Sequence, residues 1–168
     1  MLRRTTLVLI VLAGLLAAAV GTALGTGSSG VSAETARGEL VDRPLDVSME
    51  FEDGSKSEVE LKTKGRIEVA VQRIVAVPGG TFGWHSHPGP TLVTVLRGTL
   101  TLYHAEDCTD GTDYGPGTSF SNLPHEIHLA RNEGPDELVI YASYFVPVRT
   151  PAVALRIDQP SPGPECPL

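Results

Sequence analysis

The sequence is poor in positive charge and shows no sign of helices, repeats or a phosphate-binding loop. Its 13 lysines and arginines stand against 20 aspartates and glutamates, and this acidic balance disfavours nucleic acid and anionic membranes as partners. No segment recurs at a fixed period, which argues against a repeat architecture. Helical spacing of apolar residues is absent after the N-terminal segment. Gly79-Gly80 leads into a predicted strand and not into a helix, which excludes a glycine-rich phosphate loop there.

The first 33 residues have the pattern of a secretory signal peptide. A basic start is followed by an unbroken run of apolar or glycine residues from Leu7 to Val20, and Val31-Ser32-Ala33 offers small residues for cleavage. We therefore predict export, removal of residues 1–33 and no stable membrane insertion afterwards. The alternative is an N-terminal membrane anchor, because the apolar segment is nearly long enough to span a bilayer.

Cysteine occurs only twice, at Cys108 and Cys166. An exported chain meets an oxidising environment, where an even pair of cysteines favours a disulfide. Closing a loop of roughly 58 residues would stabilise the fold by about 4 kcal/mol at best. The bridge would pin residues 149–168, a proline-rich tail in which we expect no regular structure. The alternative is a pair of free or intermolecular thiols.

The middle of the sequence indicates many short β-strands. Apolar residues occupy every second place in segments such as Ile67–Val71, which is the period of a half-buried strand. Glycine, proline, asparagine and aspartate separate these segments. We predict an all-β sandwich or barrel at residues 45–148, preceded by a polar entry segment at 34–44. The predicted strands lie near residues 46–51, 57–63, 66–77, 81–87, 91–97, 99–104, 118–121, 127–131 and 137–146.

All five histidines lie between Trp84 and Leu129. His85 and His87 are two residues apart on a predicted strand, so both imidazoles point to one face. His128 lies between two apolar residues on another predicted strand, so its side chain and theirs face opposite sides. If both strands line one barrel, the three imidazoles converge. Such a set suits a divalent transition metal and leaves positions open for water or substrate.

The spacing around these histidines resembles the two motifs of the cupin superfamily. The first motif runs Gly, five residues, His-x-His, three or four residues, Glu, six residues, Gly, and its matches here are Gly79, His85, His87 and Gly98. The second runs Gly, five residues, Pro-x-Gly, two residues, His, three residues, Asn, and its matches are Gly117, His128 and Asn132. The resemblance implies a double-stranded β-helix, or jelly-roll, barrel with His85, His87 and His128 as metal ligands.

Thr91 stands where the first cupin motif has its glutamate. A neutral hydroxyl is a poor ligand for a hard or borderline cation. The resemblance therefore implies a three-histidine centre for iron, manganese, nickel or zinc, like that of cupin dioxygenases acting on thiols or diketones. The alternative is a metal-free pocket in which the histidines hydrogen-bond one another and nearby backbone.

Four further residues are predicted to support the ligands or to line the pocket, namely Thr91, His125, Glu126 and Tyr141. The alternatives are a solvated loop for His125 and Glu126 and structural packing for Tyr141. We expect Trp84 to face away from the histidines and to pack in the core.

Two functions remain as hypotheses. The first is an exported protein whose metal centre binds a small molecule and, as an enzyme, acts as a dioxygenase-type oxidoreductase. The second is a non-catalytic extracellular module that binds a small ligand or a metal, favoured by Thr91 and by the lack of an evident general acid or base. The resemblance also implies pairing as a homodimer. Since ligating imidazoles must be neutral, we expect metal occupancy to fall below about pH 6.

Overall fold

The computed structural model describes residues 25–41, 44–51, 54 and 57–167. Their regular structure is all-β apart from one turn of 3-10 helix at Ala152–Ala154. This confirms the fold class predicted from the alternating pattern. The strands are β1 Ser29–Glu39, β2 Asp46–Glu50, β3 Glu58–Lys62, β4 Ile67–Ser86, β5 Thr91–Arg97, β6 Leu100–His104, β7 Asp107–Tyr114, β8 Ser119–Asn122, β9 His128–Arg131, β10 Leu138–Pro147 and β11 Ile157–Asp158.

β4 is the long strand that joins the two faces of the barrel. Its first half pairs with β1 and β10, whereas its second half pairs with β9 and β11. The partners change near Pro78, which has no amide hydrogen to donate, and Gly79, whose φ of 76° is in the left-handed region. The predicted strands at 66–77 and 81–87 are therefore one strand with a corner. The faces are β1-β4-β10-β5-β8 and β11-β4-β9-β6-β7, and they form a nearly closed barrel.

The main core lies between these two faces. Alternate residues of the long strands point inward, as the period of two requires, and the outward residues between them are mostly exposed. β10 contributes Leu138, Ile140, Ala142, Tyr144 and Val146 to this core, β4 contributes Ala70, Ile74, Ala76 and Phe82, and β5 contributes Val93 and Val95.

A second, smaller apolar cluster lies on the other side of β4. Trp84 is fully buried there against Leu129 and the two cysteines, so it faces away from the histidines, as expected. Cys108 and Cys166 form the predicted disulfide, with their Cα atoms 5.2 Å apart. Trp84 Nε1 donates a hydrogen bond of 2.7 Å to the carbonyl of Pro167. The tail is thus fixed to β7 and β4 together.

The structure differs from the sequence prediction at both ends of the barrel. The limits at 45 and 148 are too narrow, because β1 and β11 belong to the same sheet. A polar segment is predicted at 34–44 and a cleaved one up to residue 33, but β1 pairs with β4 continuously from Val31 to Glu39. None of its side chains is fully buried, so no apolar alternation marks it as a strand.

The strands β2, β3 and β7 are largely exposed. β7 was not predicted because it is almost wholly polar, and Cys108 is its one buried residue. β2 and β3 match their predicted positions but form a separate two-stranded sheet.

Within the described part of the chain, no helix has the length and apolar character needed to cross a bilayer.

Candidate metal centre

Three histidines meet where β4 ends and β9 begins. His85 lies near the end of β4, His87 follows that strand directly, and His128 opens β9. His85 and His128 are cross-strand partners in the antiparallel register. Opposed residues project to the same face of a sheet, and His87, two residues after His85, projects to that face as well. The strand pairing therefore brings the three side chains together.

The three rings are buried and closely spaced. Their exposed fractions are 4% for His85, 4% for His87 and 1% for His128. The ring centroids are 4.4 Å apart for His85 and His128, 4.9 Å for His85 and His87, and 5.1 Å for His87 and His128. One nitrogen from each ring lies within 4.8 Å of the others. Two nitrogens bound to one ion at about 2.1 Å are at most about 4.2 Å apart, so small side-chain shifts bring the set onto one ion.

Hydrogen bonds to the backbone fix the tautomer of every ring. Nδ1 of His85 lies 2.7 Å from the carbonyl of Gly83, Nδ1 of His87 lies 2.7 Å from that of Leu155, and Nδ1 of His128 lies 3.0 Å from that of Glu126. A carbonyl oxygen can only accept, so each neutral ring carries its proton on Nδ1. The lone pair of each Nε2 remains for a ligand. Metal-bound histidines in proteins are oriented by bonds of this kind.

Burial also keeps the three rings neutral. Loss of hydration is the main cause that lowers the pKa of each, and it lowers the pKa of His128 to about 3. Repulsion from the neighbouring rings lowers the pKa of His85 further. The neutral imidazole is the form that binds a metal. At neutral pH, therefore, no proton has to be displaced from Nε2. The donor set fits a divalent transition ion.

Thr91 lies beside this centre but has no partner of its own. Its side chain is 1% exposed, and its Oγ1 makes no hydrogen bond to the described residues. It pairs across strands with Asn122 of β8, which is 2% exposed and whose Oδ1 is likewise unpartnered. Both residues line the same cavity as the histidines.

The other predicted supporting residues are separated from the cavity. His125 is exposed in a loop with a φ of 62°, and its amide donates to the carbonyl of His87 at 2.8 Å. Glu126 acts through its backbone carbonyl on His128, whereas its carboxylate lies 2.9 Å from Nδ1 of His104. Tyr141 is 41% exposed, so its predicted place in the pocket is wrong.

Tyr144 is the residue of β10 that faces the cavity instead. Its ring lies 5.3 Å from that of His87, and its hydroxyl donates to Oε1 of Gln72 at 2.8 Å. Burial raises the pKa of the phenol, which therefore keeps its proton. Tyr141 and Tyr144 have opposite parity on the strand. The apolar residues at Ile140 and Ala142 share the face of Tyr144 and were the signal that identifies the inner side.

The cavity beside the histidines is small and mostly apolar. Its volume is about 200 Å³, which gives room for a small molecule. No carboxylate is among the described residues that line it, and Arg156 is the one arginine or lysine. The apolar part of the wall includes Ile74, Phe82, Val93, Leu100, Leu102, Phe120, Ala130 and Ile140.

Arg156 comes from the tail that sequence reasoning treated as irregular. Its guanidinium donates to the carbonyl of Phe82 and, at 3.2 Å, to that of Thr26, and it forms an ion pair with Asp158. Nε of Arg156 is buried without a partner among the described residues. Sequence patterns gave no signal for this residue, because its place depends on how the tail docks.

The same tail completes the environment of the histidines. Leu155, which is buried, supplies the carbonyl that holds His87. β11 pairs with β4 at Ser86 and His85, and the amide of Gln159 donates to the carbonyl of Trp84 at 2.9 Å. The segment after β10 is thus part of the site.

Comparison with known proteins identifies one family. The family model described as Cupin domain matches residues 72–144, a range that contains all three histidines together with Thr91 and Tyr144. No curated protein matches the sequence.

Several solved structures are similar to parts of the chain. An oxalate oxidase is 23% identical over 48% of this chain and 46% of its own, with a TM-score of 0.41. A cupin-like protein from Thermotoga maritima is 22% identical over 61% of this chain and 82% of its own, with a TM-score of 0.47. A cupin domain from Bordetella pertussis is 25% identical over 50% of this chain and 85% of its own, with a TM-score of 0.40. The chain spans less than half the length of the oxalate oxidase.

Proposed function

We propose that this chain, which belongs to the cupin superfamily through its domain at residues 72–144, binds a divalent transition metal and a small organic anion. The ligands are the Nε2 atoms of His85, His87 and His128. The observation that carries this proposal is that each Nδ1 is held by a backbone carbonyl, which leaves three Nε2 lone pairs in one buried place. A bound iron, manganese, nickel or zinc ion supplies Lewis-acid chemistry, and iron or manganese also supplies redox chemistry with dioxygen.

Charge in the cavity favours an anion as the ligand. Three neutral imidazoles leave the ion with two positive charges, whereas the charge of Arg156 nearby is paired with that of Asp158. The described cavity wall contains no carboxylate to balance the charge of the ion. Uncompensated charge in an apolar site is strongly unfavourable, so a carboxylate, an enolate or a similar anion binds best. The cavity volume of about 200 Å³ gives room for a small organic anion.

The enzymatic candidate is a dioxygenase-type oxidoreductase. In it the chain orients the anion, and the apolar wall around Phe82 and Phe120 excludes water. Tyr144 keeps its proton and so serves as a hydrogen-bonding group and not as a base. The second candidate is a non-catalytic binding module. It is favoured by Thr91 at the glutamate position and by the lack of an acidic residue among the described cavity residues.

Metal analysis tests the proposed centre. The protein is purified without a chelating resin, incubated with each of the four ions and freed of excess metal. We expect about one ion per chain in the wild type, at least about a tenfold loss of affinity in His87→Ala, and no change in the control His125→Asn, whose side chain is exposed. Circular dichroism establishes that each variant is folded. A wild-type protein that holds none of the four ions would contradict the proposal.

Oxygen uptake separates the enzyme from the binding module. Iron- and manganese-loaded protein is assayed with small thiols, diketones and phenols, with His87→Ala as the inactive control. Uptake that depends on His87 supports the oxidoreductase. Binding of a small anion without uptake supports the module.

We also propose that the protein is exported and that its leader ends before Gly25, not at Ala33. Cleavage after residue 33 would remove the first part of β1, from Ser29 to Ala33, which pairs with β4. It would also remove Thr26, whose hydroxyl accepts from the amide of Trp84 at 2.5 Å. Gly21 and Ala23 provide the small residues that a signal peptidase needs at an earlier position. The disulfide agrees with an oxidising compartment. An exported protein starting at Glu34 in N-terminal sequencing would contradict this.

Pairing as a homodimer stays a prediction from the resemblance. Light scattering coupled to size-exclusion chromatography measures it directly. A mass near that of one chain across the accessible concentration range would exclude it.

A further inference from the structure

Two buried polar side-chain atoms in the cavity have no hydrogen-bond partner among the described residues. Thr91 is 1% exposed and Asn122 is 2% exposed, yet Oγ1 of the first and Oδ1 of the second are unpartnered among the described residues. The two residues are directly opposite each other in the β5–β8 register, so their side chains lie together on one face. That face lines the cavity that also contains the three histidines.

The chemistry of these two atoms indicates which kind of hydrogen-bond partner would satisfy them. Buried polar atoms in folded proteins nearly always have a partner, because an unpaired one is costly. An amide oxygen can only accept, and a threonine hydroxyl can both accept and donate. The missing partner therefore carries at least one O–H or N–H donor. An amine would be protonated and would add positive charge beside Arg156 and the ion, so a neutral hydroxyl fits better.

We propose that Thr91 and Asn122 form a subsite for a hydroxyl group, and that the ligand of this protein is a small hydroxycarboxylate. The assignment of the carboxylate rests on the proposed function, because this group of the ligand binds at the three-histidine centre near Arg156. The assignment of the hydroxyl rests only on the two unpartnered atoms of Thr91 and Asn122. Apolar neighbours such as Val93 and Phe120 contact the carbon atoms between the two ends. On this assignment Thr91 replaces the motif glutamate because it contacts the ligand and not the ion.

Titration calorimetry with matched ligands tests this subsite. Zinc-loaded protein is used because zinc does not change oxidation state, so no turnover interferes. The probes are 3-hydroxypropionate, 4-hydroxybutyrate and 5-hydroxypentanoate, each compared with the alkanoate of the same chain length. We expect the hydroxy acid of at least one length to bind at least about tenfold more tightly than its alkanoate, since an alkanoate leaves the two polar atoms unpaired.

Two variants assign that preference to Thr91. Thr91→Val keeps the shape and removes the hydroxyl, so we expect it to abolish most of the tenfold preference while zinc content stays within about twofold. Thr94→Val is the matched control, because Thr94 is on the exposed face of the same strand and its hydroxyl bonds to Ser119. It should keep the full preference. Asn122→Leu is an independent second variant, expected to behave like Thr91→Val.

The outcomes separate this inference from the proposed function. The same titrations are repeated with metal-free protein and the alcohols 1-propanol and 1-butanol against propane and butane, which tests the hydroxyl end without any ion. A preference for hydroxyl that Thr91→Val removes supports the subsite, even if no metal binds. Equal binding of hydroxylated and plain ligands in both forms, or a preference that survives both Thr91→Val and Asn122→Leu, overturns it and assigns the two atoms to ordered water.

Discussion

Lowering the pH from about 7 to about 5 is expected to destabilise the metal-free protein by about 2 kcal/mol through His128 alone. The ring is 1% exposed and has lost its hydration, which lowers its pKa in the folded state to about 3. In the unfolded chain its pKa returns to about 6.5. As the pH falls, the unfolded state therefore takes up the proton first. The stability is fully present above about pH 6.5 and is lost as the pH falls toward about 3.

The magnitude follows from the difference between the two pKa values. One pH unit below the unfolded pKa corresponds to about 1.4 kcal/mol, and pH 5 lies about 1.5 units below it. That gives about 2 kcal/mol for His128. Burial also lowers the pKa of His85 and His87, so the loss for the whole protein is larger. Against a total stability of about 5 to 15 kcal/mol, this effect is easily measured.

Urea unfolding of chelator-treated protein at the two pH values provides the assay. Fluorescence of Trp84, the sole tryptophan and fully buried, reports unfolding. His128→Gln removes the titrating group. The free energy of unfolding that this variant loses between pH 7 and 5 should therefore be about 2 kcal/mol smaller than the loss in the wild type. Because the carboxylates titrate in both proteins, their contribution to the free energy of unfolding cancels when the two losses are compared. His125→Asn, altered at an exposed position, should show the full wild-type loss.

Equal losses in wild type and His128→Gln would refute the reasoning, because they would mean that His128 binds its proton equally well in both states.

A related consequence concerns metal binding. The ordinary pKa of histidine predicts that metal occupancy falls below about pH 6, but the folded His128 competes for protons only near its pKa of about 3. Occupancy should therefore persist below pH 6, for as long as the protein stays folded.

Three further outcomes are expected. Replacing both Cys108 and Cys166 by serine should lower the free energy of unfolding by about 2 to 4 kcal/mol, measured in urea, and should weaken metal binding, measured by competition with a chelator, because the tail that holds His87 loosens. Thr91→Glu should tighten metal binding in the same competition, since it adds a carboxylate to the ligand set; unchanged affinity would place Thr91 out of the ion's reach. Tyr144→Phe should lower the free energy of unfolding by about 1 kcal/mol, because Gln72 loses its donor, while metal content stays the same.

The part of the fold that can be predicted from the sequence is the part with alternating burial. β5 and β10 bury every second residue, so their positions are readable within one or two residues. β1 and β7 bury almost nothing, and their strand structure comes from backbone pairing with neighbours that only the fold brings close. Local pattern carries no record of such pairing.

The candidate site divides in the same way. His85, His87 and His128 could be grouped because a period of two and a known spacing place them on two strands of one barrel. Arg156 and the carbonyl of Leu155 could not, since their positions depend on a tail that docks through one 3-10 turn and two residues of strand. Tyr141 was predicted to line the pocket, but the apolar residues Ile140 and Ala142 share the face of Tyr144, and Tyr144 is the tyrosine buried there.

The bond from His87 to Leu155 has a consequence for biosynthesis. Leu155 and Cys166 follow His87 and Cys108 in the sequence, so the ribosome makes the orienting carbonyl and the second sulfur of the bridge after the residues they contact. A polypeptide that stops before Leu155 contains His85 and His87 but lacks the carbonyl that sets the tautomer of His87. We therefore expect the proposed metal centre to form only after residues 155–166 have been made and the bridge has closed.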